Sequence, residues 1–230
     1  MYIHQLKKYI LLVLLILGSG MTARSEGNLP YVDEKLIHFG FSLGLNAMSF
    51  EVTPNEAARV STLTPGFSVG IITDLRLNRY LNLRFTPTLH FGDRKLNYSF
   101  TPGKDSLNYL TISSIPITLP VYLKYSAERK GNFRPYLLWG GGVSFDLGTN
   151  ASSDNPVLLK PLDFYTEFGV GCDIYFSFFK LAPELKYSIG FNNMFTPIDQ
   201  RGASVNTNKM FSQVLQNLKS RMLTLTFNFE

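Results

Sequence analysis

The chain has 230 residues, 45% of them hydrophobic, 14% aromatic and only 17% charged, with a formal net charge of +5. That charged share is low beside the ~25% of soluble domains, yet no segment reaches the ~18 consecutive apolar residues of a membrane helix. Arg and Lys are spread singly, which gives nucleic-acid binding no support. The lone cysteine, Cys172, excludes an intramolecular disulfide framework.

Lys7 and Lys8, the apolar run Tyr9–Leu17 and the small residues of Gly18–Ala23 have the order of a secretory signal peptide. The apolar core is too short to span a bilayer, and no nearby cysteine offers a lipoprotein anchor. Cleavage is expected between Gly20 and Ala23. The expected organisation is a cleaved signal over residues 1–23, a periplasmic lead-in over 24–38 and one β domain over 39–230.

Eight alternating segments follow. In Phe39–Phe50, Phe39, Phe41, Leu43, Leu45 and Ala47 oppose Gly40, Ser42, Gly44 and Asn46. Gly66–Arg76 sets Phe67, Val69, Ile71 and Thr73 against Ser68, Gly70 and Asp74. Leu81–Phe91 alternates most cleanly, with Leu83, Phe85 and Leu89 against Arg84, Thr86, Thr88 and His90. Ile115–Tyr125 sets Leu119, Val121 and Leu123 against Thr118, Tyr122 and Lys124, although Pro116 and Pro120 each remove a ladder donor. Pro135–Asp146, Leu162–Phe176 and Phe179–Phe191 continue the pattern, and Met222–Glu230 closes it with Leu223, Leu225, Phe227 and Phe229 against Thr224, Thr226 and Asn228.

Connections after the second, fourth and sixth segments are short, and the others are long and polar. This is the asymmetry of bacterial outer-membrane barrels, which have short periplasmic turns and long outer loops. The pattern predicts an all-β fold: an eight-stranded antiparallel transmembrane up-and-down β-barrel in the cell outer membrane, with both termini in the periplasm. Its apolar face meets outer-membrane lipid.

Eight strands enclose only their own side chains. The inward charges Asp74, Arg84, Lys124, Glu167, Asp173, Glu184 and Lys186 are of both signs. Buried charges persist only when paired, so they are expected to form an interior salt-bridge network rather than a pore. In the last long loop, Phe211, Val214, Leu215 and Leu218 fall at i, i+3, i+4 and i+7, the spacing of a short amphipathic helix. Such a helix would cap the barrel, lie on the membrane surface or dock a partner.

No catalytic constellation stands out. His38 and His90 lack the companions of a metal site, no Gly-x-Ser-x-Gly occurs, and no glycine cluster precedes a phosphate-binding helix. His90 with Ser99 or Ser106 is the one conceivable Ser/His pair, and Cys172 reads as a small lipid-facing hydrophobe. No enzyme activity, cofactor, metal or small-molecule substrate is expected.

Several stretches resemble the PorT (SprT) family of outer-membrane barrels. These are Phe39-Gly-Phe-Ser-Leu-Gly-Leu-Asn46, Pro65-Gly-Phe-Ser-Val-Gly-Ile-Ile-Thr-Asp-Leu-Arg-Leu77, Leu83-Arg-Phe-Thr-Pro87, Leu123-Lys-Tyr125, Arg134-Pro-Tyr136, Asp163-Phe-Tyr-Thr-Glu167, the run Asp173-Ile-Tyr-Phe, Pro183-Glu-Leu-Lys186 and the ending Phe229-Glu230. The resemblance implies a non-enzymatic component of the type IX secretion system. Such a component is required to export proteins with C-terminal sorting domains, including proteases and gliding adhesins, and works with other subunits of that system. The alternative is a small structural or adhesion barrel with no secretion role.

Overall fold

Period-two alternation with one apolar and one polar face suits a sheet whose two sides meet different solvents. The chain resolves that demand by closing the sheet on itself. The computed structural model describes residues 29, 32–52, 58–98, 108–148, 159–195 and 217–230. A short 3₁₀ turn, Val32–Glu34, leads into β1 (Ile37–Val52), followed by β2 (Ala58–Thr62), β3 (Thr64–Arg76), β4 (Leu81–Phe85), β5 (Thr88–Tyr98) and β6 (Asn108–Ser114). Then come β7 (Pro116–Ser126), β8 (Phe133–Asp146), β9 (Leu162–Tyr175), β10 (Lys180–Gly190) and β11 (Leu218–Phe229).

These eleven stretches make eight physical strands. β4 and β5 keep one register on β3, since Thr73 pairs Phe85 and Gly70 pairs Thr88, so only Thr86 and Pro87 interrupt a single strand. β6 and β7 likewise keep one register on β5. β2 continues β3 against β5 with two slips of one residue, one between Arg59 and Thr62 and one between Thr62 and Phe67. All pairings are antiparallel, and β1 pairs both β3 and β11, which closes the ring.

The prolines fit because their missing donors are arranged for. Pro120 stands opposite Thr86, whose N–H donates to the Pro120 carbonyl at 3.5 Å. Pro120 has no N–H to return, and the Thr86 carbonyl instead accepts from Thr88 Oγ1 at 2.9 Å. Pro87 still accepts from the Ile71 N–H at 3.1 Å.

Inward partners can be followed round the ring: Met48, Met222, Ser188, Glu167, Gly140, Tyr122, Arg84, Asp74 and then His38. The path returns to β1 ten residues lower. Ten residues of stagger over eight strands give a tilt of about 40° and a backbone radius of about 8 Å. Nothing wider than the barrel's own side chains fits inside.

The outer surface is apolar all round, with Leu43, Val69, Ile71, Leu119, Val121, Val170, Leu185 and Leu225 in its middle. Aromatics gather at both rims. At the short-turn end Phe41 and Phe179 stack on Phe229 at 4.9 and 6.3 Å, and Phe176 stacks on Phe179. Near the other end Phe67 stacks on Phe91 at 4.6 Å, with Phe145, Phe164 and Phe191 also exposed. An apolar belt between aromatic girdles is the lipid face of an outer-membrane barrel.

Two sequence expectations need correction. The third and fourth strands do not stop at Phe91 and Ile115: their hairpin runs to Tyr98 and back from Asn108, rising past the girdle on the long-loop side. Leu218 does not end an amphipathic helix. It is the first residue of β11, pairs Val52 and is fully buried. Phe211, Val214 and Leu215 lie outside the described residues.

Candidate functional site

Even-numbered residues of β8, β10 and β11 point inward, as do Arg84 on β4, Lys124 on β7, Asp74 on β3 and the odd-numbered Glu167 and Asp173 on β9. The closed ring brings all seven charges named from the sequence into one buried network in the short-turn half of the barrel. Arg84, 1% exposed, is its hub. Its Nε and Nη2 both donate to Asp74 Oδ2 at 2.9 and 2.8 Å, Nη1 reaches Glu184 at 3.2 Å, and Nη2 also reaches Glu230 at 2.8 Å. A planar guanidinium with five donors makes these four bonds to three carboxylates, one more than the three donors of an ammonium allow.

Around that hub Lys124 donates to Asp173 at 2.8 Å and lies 3.9 Å from Asp74. Lys186 lies 3.4 Å from Glu184 and 3.7 Å from Glu167. Lys180 pairs with Glu230 at 2.6 Å. Neutral donors complete the carboxylates: Tyr136 Oη donates to Glu184 at 2.7 Å, Asn228 donates to Glu184 at 3.2 Å, and Asn82 donates to Asp74 at 2.6 Å. Tyr136 also offers its ring face to Lys124 at 4.1 Å and to Arg84 at 5.6 Å. Gly171, its partner across the β8–β9 ladder, makes this possible, because a Cβ there would collide with the Tyr136 ring.

Lys180, Glu230, Tyr136 and Asn82 were not singled out in the sequence. Parity contained the signal, since Lys180 shares a face with Glu184 and Lys186, and Glu230 shares one with Asn228. Glu230 exchanges both backbone hydrogen bonds with Lys180 and turns its carboxylate inward.

The interior changes character toward the long loops. Its middle carries hydroxyls and amides such as Ser42, Asn46, Ser68, Thr88, Thr118 and Thr226. Above them Met48, Phe50, Ile112, Leu218 and Met222 pack with Leu159, Met194 and Phe195, which fold in from the connections flanking β9 and β10. Lys160 N–H to Met194 O at 2.7 Å, Met194 N–H to Leu218 O at 2.9 Å and a Leu159–Phe195 bridge pin this cover. Asn193 Oδ1 accepts from the N–H groups of Phe195 and Leu218. Arg94 is buried within it, over the Phe50 ring at 4.7 Å. An apolar plug thus fills the mouth above the polar interior.

At the other end the lead-in is tied to the barrel. Asp33 accepts from Tyr175 Oη at 2.6 Å and lies 3.3 Å from Arg134 and 3.6 Å from Arg129. His38 Nε2 donates to the Val32 carbonyl at 2.6 Å.

His90 is buried and faces inward. Thr118 Oγ1 gives its hydrogen to the Thr88 carbonyl, so His90 Nε2 is the donor in its 3.1 Å contact with Thr118. Ser99 and Ser106 lie outside the described residues. Among the described residues no group of three or more His, Cys, Asp or Glu is placed to hold a metal.

A closed eight-stranded barrel with a lipid-facing belt and a paired polar interior defines an integral outer-membrane protein. The chain matches the family model of the outer membrane protein beta-barrel domain over residues 23–196, and it belongs to that family. Two solved structures are similar in fold. Neisserial surface protein A (NspA) is 13% identical, with a TM-score of 0.45 over 84% of this chain and 98% of that one. The outer membrane enzyme PagL is 10% identical, with a TM-score of 0.35 over 80% of this chain and 97% of that one. No curated protein matches.

Proposed function

We propose that this barrel supports type IX secretion through partner subunits and is not itself the conduit or an enzyme. One observation carries the claim that it is not the conduit: its described interior is filled by side chains. The Arg84 network fills the lower half, the Met48–Phe195 plug fills the mouth, and Asp33 of the lead-in pairs with Arg134 at the short-turn end. At a backbone radius of about 8 Å no folded cargo passes. The secretion role itself rests on the resemblance to the PorT family across the barrel.

On this reading residues 1–23 are the export signal and residues 24–38 are the periplasmic lead-in to the barrel. The test is a deletion strain, with fractionation of secreted proteins that carry the C-terminal sorting domain. Their accumulation in the periplasm, with the outer membrane intact, is the expected result. Normal secretion would refute the role.

The β4–β7 hairpin, which stands above the girdle, favours one second reading, a surface-contact barrel. That reading predicts normal secretion and altered surface binding in the same strain.

A further inference from the structure

At the short-turn end, Arg129, Arg134 and Tyr175 converge on the single carboxylate of Asp33. Tyr175, only 1% exposed, donates its hydroxyl to Oδ1 at 2.6 Å. Arg134 Nη1 lies 3.3 Å from the same oxygen, and Arg129 Nη1 lies 3.6 Å from Oδ2. Two guanidinium groups and a phenol aimed at two oxygens make a receptor for a carboxylate.

The barrel holds that receptor in shape by bonds that do not involve the lead-in. Arg134 Nε donates to the Ala127 carbonyl at 3.0 Å, and its Nη2 donates to the Arg79 carbonyl. Arg129 Nε donates to the Gly131 carbonyl at 2.8 Å, and its guanidinium lies over the Tyr175 ring at 3.7 Å. The Tyr175 N–H donates to the Asn132 carbonyl at 2.9 Å. Glu128, in the same turn, pairs with Arg79 at 3.4 Å instead of entering the receptor.

The occupant is attached more thinly. None of Val32–Glu34 is buried, and Leu36 is 65% exposed. Arg129 Nη1 and His38 Nε2 donate to the Leu29 and Val32 carbonyls at 3.2 and 2.6 Å, contacts that any peptide backbone offers. Leu29 has a φ of 54°, in the left-handed region that favours glycine and strains a leucine. The lead-in therefore sits in the receptor at a backbone cost. Its advantage over another peptide is the tether, which gives it an effective concentration of about millimolar.

We propose that Arg129, Arg134 and Tyr175 form a docking site for an aspartate in an exposed turn of a periplasmic protein, with Asp33 as the intramolecular competitor. A turn with glycine four residues before its aspartate meets the same donors without the strain at Leu29. The inference deepens the partner-subunit reading and rests on it only for which protein the partner is. Peptide binding and secretion are separate readouts, so peptide binding together with normal secretion supports the site and refutes only the secretion role.

The test titrates fluorescein-labelled peptides of the sequence Leu29–Leu36 into the full chain in detergent micelles, read by fluorescence anisotropy. Asp33→Ala in the chain withdraws the competitor, so this variant is expected to bind the peptide saturably and about tenfold more tightly than the parent chain. A Leu29→Gly peptide should bind more tightly still. An Asp33→Asn peptide should bind about tenfold more weakly, and Arg129→Gln in the Asp33→Ala chain should weaken binding about threefold.

Equal binding to the parent and Asp33→Ala chains, no loss with the Asp33→Asn peptide, or no saturable binding at millimolar peptide would overturn the proposal. So would a parent chain that sediments as a dimer and is made monomeric by Asp33→Ala, because a second copy's lead-in is then the occupant. If Asp33→Ala loses heat-modifiable gel migration, the same titration on the isosteric Asp33→Asn chain decides by the same criteria.

Discussion

Removing the Arg84 guanidinium tests the interior network most directly. Arg84→Met keeps much of the side-chain volume but withdraws one of four cations (Arg84, Lys124, Lys180, Lys186) from five carboxylates (Asp74, Glu167, Asp173, Glu184, Glu230). Breaking a buried ion pair from one side costs about 3–5 kcal/mol, because the remaining charge stays buried. Each orphaned carboxylate here keeps a second cation: Asp74 has Lys124 at 3.9 Å, Glu184 has Lys186 at 3.4 Å and Glu230 has Lys180 at 2.6 Å. The loss should therefore sit at the low end, about 3 kcal/mol, or roughly a hundredfold in the folded-to-unfolded ratio. Urea unfolding in detergent micelles, followed by circular dichroism and heat-modifiable gel migration, measures it. Adding Asp74→Asn should recover part of the loss, because it removes the carboxylate that Arg84 grips with two donors. A stability of Arg84→Met within 1 kcal/mol of the parent, or no recovery in the double variant, would refute the network as described.

Other expectations follow from the same geometry. Val121→Arg faces lipid near mid-belt and should cost about 2–4 kcal/mol, whereas Leu83→Arg, two residues from the short-turn end of β4, should cost about 1 or less. Equal losses in reconstituted folding titrations would contradict the placement of the belt. Gly140→Val should overpack the β7–β8 wall, where a Cβ would fall against the Val121 carbonyl and Tyr122, at about 1–3 kcal/mol. Unchanged thermal stability would argue against that close approach. Asp33→Ala should speed proteolysis of the lead-in while barrel stability changes by less than about 1 kcal/mol, the range of partly exposed ion pairs. In planar bilayers the purified barrel should show no stepwise conductance, and reproducible large steps would refute a filled interior.

Much of this was legible in the sequence because a strand's period is two and the two faces of this barrel meet opposite solvents. Leu81–Phe91 and Met222–Phe229 declare their lipid faces residue by residue, and the same parity places Asp74, Arg84, Lys124, Glu184 and Lys186 inside. The long hairpin beyond Phe91 was harder to read, since its outward residues Asp93, Lys95 and Ser113 have left the lipid and no longer need apolar side chains. Leu218 misled because four apolar residues at helical spacing do not reveal that the last belongs to a strand pairing Val52.

Alternation along one strand sets which way each side chain points, so fold class, strand number and compartment followed from the sequence alone. Pairing is a property of the closed ring. A stagger of ten residues, set by eight ladders together, decides that Arg84 on β4 meets Glu184 on β10 and Glu230 after β11, up to 146 positions away. The same stagger brings Met48 and Met222 together beneath the cover formed by Met194 and Phe195. No local pattern carries that information, because inter-strand register is fixed only when the last strand meets the first.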